Sequence, residues 1–240
     1  MKFFWTLLTL ALLMGSPMVT VAQKDSEASP LTLGADVVSR YVWRGLALSS
    51  SPAIQPTIAY SFGNITVGTW GSFTFSREES QEVDLFVTYS LNSFSVTLND
   101  YFNPVENSDE KIKYFEWGKD TTGHALELAA SWEGTENFPL IVTAGLFFYG
   151  NDRDEITGDN EYSTYAEVAY PFDIKGVSLQ PFAGLTFAEG YYSDGFGLVN
   201  LGVKAEKEIK ITGDFSLPIS ASFITNPDAG DVFLVVGMSF

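Results

Sequence analysis

The chain predicts an all-β fold, a closed antiparallel transmembrane β-barrel of twelve strands with both termini on the periplasmic side. Three observations predict it. Segments of about ten residues, the length a tilted strand needs to cross a bilayer, alternate between an apolar and a polar row along most of the chain. Beyond residue 22 no run of about 18 apolar residues occurs, so no helix of the sequence would span a membrane. The connections are short on one rim and long on the other, as in bacterial barrels. Lipid offers no water to an open sheet edge, so strands that span it have to close on themselves.

The amino-terminal end reads as an export signal. Lys2 precedes Phe3–Met14, twelve apolar-rich residues followed by Gly15, Ser16 and Pro17. That is too short for a spanning helix and suits a signal peptide core. Thr20 and Ala22 place small residues three and one positions before a cut, so residues 1–22 form the expected signal peptide. Residues 23–30 form a short periplasmic segment and 31–240 the barrel. No Cys occurs, which excludes disulfides, thiolate metal sites and a lipidated terminal Cys. The formal charge of −17 becomes −18 without Lys2, so a nucleic-acid partner is not expected. Only 18% of residues are charged, whereas 15% are aromatic, a balance that suits equal apolar and polar faces.

The strands expected in order are 31–43, 53–62, 65–75, 82–91, 94–101, 124–132, 139–149, 162–172, 177–187, 198–206, 215–225 and 231–240. The fourth sets Val83, Leu85, Val87, Tyr89 and Leu91 against Glu82, Asp84, Phe86, Thr88 and Ser90. The eighth sets Tyr162, Thr164, Ala166, Val168, Tyr170 and Phe172 against Ser163, Tyr165, Glu167 and Ala169. A soluble sandwich would show the same rows with the apolar side buried. Gly63-Asn64, Asn92-Ser93 and Asp173-Ile174-Lys175-Gly176 are short turns. The connections 44–52, 76–81, 102–123, 150–161 and 188–197 are long. The exits 133–138 and 207–214 are longer than tight turns and interrupt the pattern. Pro56 and Pro218 sit near strand starts, but Pro181 is central, where a missing donor predicts a bulge or a shifted register.

The last strand puts Val232, Leu234, Val236, Met238 and Phe240 on one row and Asp231, Phe233, Val235, Gly237 and Ser239 on the other. A closing strand that ends on an aromatic carboxyl-terminal residue resembles the assembly signal of bacterial outer-membrane barrels. A second resemblance lies near the amino terminus, at Ser39-Arg40-Tyr41-Val42-Trp43-Arg44-Gly45, then Pro52-Ala53-Ile54-Gln55, Thr69-Trp70-Gly71-Ser72 and Glu82-Val83-Asp84. Together these are similar to the TorF-type porin family of Gram-negative outer-membrane proteins, over residues 34–90. The resemblance implies the fold and the membrane more strongly than an activity, since a barrel alone does not establish a channel.

Candidate pore-lining residues follow from the polar rows. Asp36, Arg40 and Arg44 fall four apart on the expected first strand, opposite Leu33, Ala35 and Val37. Charges facing mid-depth lipid are costly, so this face is expected to be the lumen. Glu82, Asp84, Glu127, Glu167, Lys204 and Glu206 join it, six acids against three bases. One reading is a narrow passive diffusion channel for small solutes or ions, weakly cation-preferring because fixed charges of one sign attract the counter-ion. The other is a closed, non-conducting barrel, its lumen filled by ion pairs, that displays acidic loops for adhesion, binding or envelope integrity. Trp70, Phe86, Tyr101, Tyr165 and Phe182 also fall on the lumen row. They could stack on a solute or plug the barrel.

Glu106, Asp109, Glu110, Glu116 and Asp120 crowd one long loop, and Asp152, Asp154, Glu155, Asp159 and Glu161 another. The second lacks the ligand spacing of a calcium loop and reads as solvated surface. His124 is the only His and is expected to be a polar residue at a loop boundary. Ser131 faces the opposite side about 24 Å away at ~3.4 Å per residue, so no catalytic constellation, cofactor or metal site is expected. The expected partners are outer-membrane lipids and lipopolysaccharide, the barrel-assembly machinery, and small solutes or ions.

Overall fold

The computed structural model describes residues 29–76, 78–79, 81–104, 112–154 and 156–240. The expected signal peptide, loop residues Glu106, Asp109 and Glu110, and Glu155 lie outside them. Among the described residues there is no helix, and twelve strands form the wall. They are β1 (Leu31–Val38), β2 (Ala53–Phe62), β3 (Ile65–Thr74), β4 (Glu82–Leu91), β5 (Phe94–Phe102) and β6 (His124–Thr135). Then follow β7 (Phe138–Gly150), β8 (Thr164–Ala169, resuming as Phe172–Ile174), β9 (Val177–Thr186), β10 (Gly197–Lys210), β11 (Ser216–Asn226) and β12 (Asp231–Ser239). Each is antiparallel to its sequence neighbours, and β12 returns to β1. The sheet is therefore a closed barrel without an edge.

Closure is completed by the last residue. Asp36, Val37 and Val38 lie opposite Ser239, Met238 and Gly237. Ala35 and Phe240 then exchange both backbone hydrogen bonds, at 3.2 and 2.9 Å. Two expected irregular exits are strand instead: β6 and β7 meet across Glu136-Asn137, and β10 runs on to Lys210. That leaves short turns on one rim and, apart from residues 227–230, long connections on the other. Lys175 and Gly176, at φ 52° and 77°, form a two-residue turn in which both central residues are left-handed, the geometry that matches strand twist.

Pro181 is accommodated without the expected shift at its own position, pairing in register with Val203. Its carbonyl accepts from the Tyr170 N–H at 3.0 Å. A strand residue points its N and C=O the same way, so the missing donor falls where β8 is interrupted at Tyr170-Pro171. The bulge lies three residues on, between Gly184 and Leu185.

The apolar rows face outward. Leu33, Ile58, Val87, Leu98, Leu128, Phe223 and Leu234 are all exposed, Leu234 at 68%. The polar rows face inward, and Asp36, Gln55, Glu82, Asp84, Asn99 and Glu127 are buried, the last three of those carboxylates and amides at 0%. This inverts the arrangement of a soluble sandwich, and the core sits inside the barrel.

Candidate functional site

The first strand stops at Val38, five residues short of the expected end. Arg40 and Arg44 therefore do not climb the wall above Asp36; they belong to the connection that follows. That connection (L1) folds inward as a small hairpin, Val42-Trp43 against Leu46-Ala47, which is its own two-stranded sheet. Its tip is Arg44-Gly45, with φ of 48° and 83°. Gly at the second position is usual for such a turn, whereas a long side chain at the first is not. At Gly45 a Cβ would stand 1.9 Å from the Val199 carbonyl, so the tip presses against β10. The Asn226 side chain donates to the Gly45 carbonyl at 3.4 Å.

From this tip Arg44 reaches into the barrel wall. Its guanidinium donates twice to Glu127, at 2.5 and 3.1 Å, and once to the Tyr192 hydroxyl at 2.6 Å. It lies 4.5 Å from the Trp43 ring and 4.6 Å from the Tyr165 ring, within range of cation–π attraction. Glu127 accepts two further bonds, from Tyr101 at 2.8 Å and Asn99 at 3.2 Å. The pair is almost fully buried, and a buried pair persists only when its remaining hydrogen-bonding groups are satisfied. The wall makes room for it. A Cβ on Gly145 would fall 2.1 Å from Glu127 Oε1 and 3.4 Å from Arg44.

Tyr192 arrives from a second inward hairpin, Glu189-Gly190 against Ser193-Asp194. This hairpin is tied to the neighbouring connection: the Tyr191 N–H donates to Ser163 Oγ at 2.7 Å, and Ser163 donates to Asp152 at 2.5 Å. Trp43, Tyr101, Ala125, Phe147, Tyr165, Tyr192 and Val199 form one buried cluster across the lumen, with Tyr41, Leu46 and Leu48 packed against it. Ala59, Trp70 and Phe86 form a second cluster on the β2–β4 wall, and Tyr41 joins it 5.4 Å from Trp70. Four of the five lumen-row aromatics named from the sequence thus sit in the filling, and Phe182 is half-buried on β9.

The other inward charges are distributed as follows. Lys204 pairs with Glu206 at 2.7 Å in a half-open setting. Glu167 accepts from Tyr165 Oη and from Asn200 at 2.8 Å. Asp84 accepts from the Phe102 N–H at 3.3 Å, and Glu82 lies two residues along the same inner face. Asp36, Glu82 and Asp84 take part in no ion pair among the described residues. Arg40 lies 5.7 Å over the Phe233 ring. Val232, Leu234, Val236 and Met238 are exposed on the outer face of β12, with Phe240 after them.

Outside the wall, His124 is not a polar loop residue but a fully buried one. It stacks on Trp117 at 3.9 Å, approaches Asp100 at 2.8 Å and donates to the Tyr114 carbonyl at 2.5 Å. It pins the connection 112–123 against the outer face of β5 and β6. Two loop carboxylates are held below the usual carboxylate range by hydrogen bonds. Glu79 accepts from Ser50 and Ser51 of L1, and Asp154 from the Thr157 and Ile156 N–H groups.

Sequence reasoning missed Trp43, Tyr192 and Gly145. One signal was available: Arg44-Gly45 between Val42-Trp43 and Leu46-Ala47 is a two-residue hairpin turn with apolar flanks. Among known proteins, the chain matches a family of bacterial proteins of unknown function, Gcw_chp, over residues 24–216, and it belongs to that family. The match ends at the start of β11, before the two strands that close the barrel. No curated protein matches the chain.

Proposed function

We propose that the protein is an outer-membrane β-barrel whose lumen is shut at rest and whose acidic connections are displayed outside the cell. The observation that carries this reading is the Arg44–Glu127 pair, which fastens an inward hairpin across the barrel against a second one. A buried cluster of Trp43, Tyr101, Phe147 and Tyr165 across the lumen is a poor path for a hydrated ion. Exposed apolar rows on every side suit a hydrocarbon surrounding, and exposed aromatics near both rims, such as Phe75 and Phe196 on one and Phe62 and Phe94 on the other, suit its interfaces. The likeness of residues 34–90 to TorF-type porins supports the same membrane. A gated, cation-preferring channel is the second reading. It is favoured by the half-open polar lumen around Lys204 and Glu206 below the plug.

The chain lacks Cys, so single-Cys labelling tests location and orientation directly. Ala229→Cys, on the long-connection rim, should react with an impermeant maleimide on intact cells. Asn64→Cys, in a short turn, should react only after the outer membrane is permeabilised. The opposite pattern would invert the barrel, and a chain recovered in the soluble fraction would remove it from the membrane.

A further inference from the structure

We propose that Glu127, Asn99, Tyr101, Tyr165 and Tyr192 form a guanidinium-binding site in the barrel wall, which Arg44 occupies in cis and which a small guanidinium-bearing solute takes when the L1 hairpin withdraws. The site has the features that recognise this cation rather than any positive charge. Glu127 presents both carboxylate oxygens to the planar fork, at 2.5 and 3.1 Å. Asn99 and Tyr101 hold that carboxylate from behind. The Tyr192 hydroxyl accepts a third N–H at 2.6 Å, and the Tyr165 ring covers one face of the cation. Gly145 leaves the space beside Glu127 that any side chain would fill.

The occupant is attached to the wall mainly through its side chains. The hairpin is a separate two-stranded sheet, and its backbone bonds Leu48 N to Tyr41 O and Ser49 N to Tyr41 O stay within L1. Its tip holds a non-Gly residue at positive φ, a conformation retained only where the surroundings over-determine it. Here the hairpin turn, the Asn226 bond to the Gly45 carbonyl and the guanidinium contacts hold it together. Arg44 wins over a free solute by its high effective concentration, an advantage lost when the hairpin moves away.

Chemical rescue tests the site without identifying the natural solute, using the mature chain refolded in detergent. Arg44→Ala should lower the temperature at which the barrel unfolds on a semi-native gel, and millimolar methylguanidinium should raise it again. Methylammonium, a point charge without a fork, should shift it far less. In Arg44→Ala/Glu127→Gln the affinity for methylguanidinium should fall about tenfold or more, since the charge-assisted fork is lost. If Arg44→Ala does not refold, methylguanidinium in the refolding buffer should restore the yield, and Arg44→Lys should refold unaided at reduced thermal stability. Equal effects of the two cations, or equal rescue with and without Glu127, would overturn the proposal. So would the absence of any methylguanidinium effect on either temperature or yield. These readouts are independent of the closed-lumen reading. Only an added arm rests on it, in which methylguanidinium blocks the current through Arg44→Ala.

Discussion

Toward the rim of long connections, the lumen is filled by residues that interlock across it: Arg44 with Glu127, Tyr192 with Arg44, and Trp43 against Tyr101 and Phe147. Toward the rim of short turns, the same inward row carries small polar groups bonded to their strand neighbours, such as Thr88 to Thr97 and Ser61 to Thr66, each at 2.9 Å. The first half is held by contacts between elements far apart in sequence; Arg44 and Glu127 are 83 residues apart. The second is held by the backbone ladder and local pairs. The wall alone makes the barrel, and under the proposed function the inward hairpins decide whether anything passes through it.

The largest expected effect breaks the wall. Deleting Ser239-Phe240 removes the Ala35–Phe240 exchange and the Asp36–Ser239 pair, leaving the β1–β12 seam with Val37–Met238, Val38–Gly237 and the Ser39–Val236 bond. In the membrane setting proposed above, the seam strands would be left with unpaired backbone groups in lipid, each costing several kcal/mol. The variant should fail to yield a heat-modifiable barrel in outer membranes. Wild-type levels would show that the seam does not limit assembly.

Next come changes to the plug that spare the wall. Arg44→Ala or Glu127→Gln should each destabilise by about 3–5 kcal/mol, the cost of leaving one member of a buried pair. In a double-mutant cycle their effects should fall well short of additive. Additivity would mean that the two side chains do not act as a pair. Gly145→Ala should cost about 1–3 kcal/mol, because the new methyl displaces a carboxylate held by three partner residues. Denaturant unfolding in detergent measures all three.

The strands were legible because a barrel wall writes its two faces as a period of two, and all twelve were found within a few residues of their positions. The site was less legible. L1 is itself extended, so Ser39–Arg44 continues the alternation of β1 beyond Val38, and period alone cannot show the chain leaving the wall. Glu127 was recognisable as an inward acid, but its partner was placed on the wrong element. His124 was misread for the opposite reason. Its neighbours Phe102 and Asp100 are brought to it by the pairing of β5 with β6, and Trp117 by a loop, none of which composition encodes.

Smaller effects should separate the halves further. Lys204→Ala removes an ion pair whose members are partly exposed, worth about 0–1 kcal/mol, and should leave the plug intact. At the outer limb of L1, Glu79 holds Ser50 and Ser51. Its hydrogen bonds, chiefly to the Ser50 side chain, lower its pKa below the ordinary 4.5. A lowered folded-state pKa stabilises above the unfolded value and is lost as pH falls through the folded one. Limited proteolysis of L1 should therefore rise below about pH 4.5 in the wild type, and Glu79→Gln should show little of that pH dependence. A pH profile unchanged by Glu79→Gln would assign the effect to another group.

The conductance of the purified protein in planar bilayers tests the central claim most directly. The wild-type barrel should insert without steady current, whereas Arg44→Ala, freed from Glu127, should show discrete conducting steps. A wild type that conducts continuously, with steps the same size as those of Arg44→Ala, would contradict a lumen closed by the L1 hairpin.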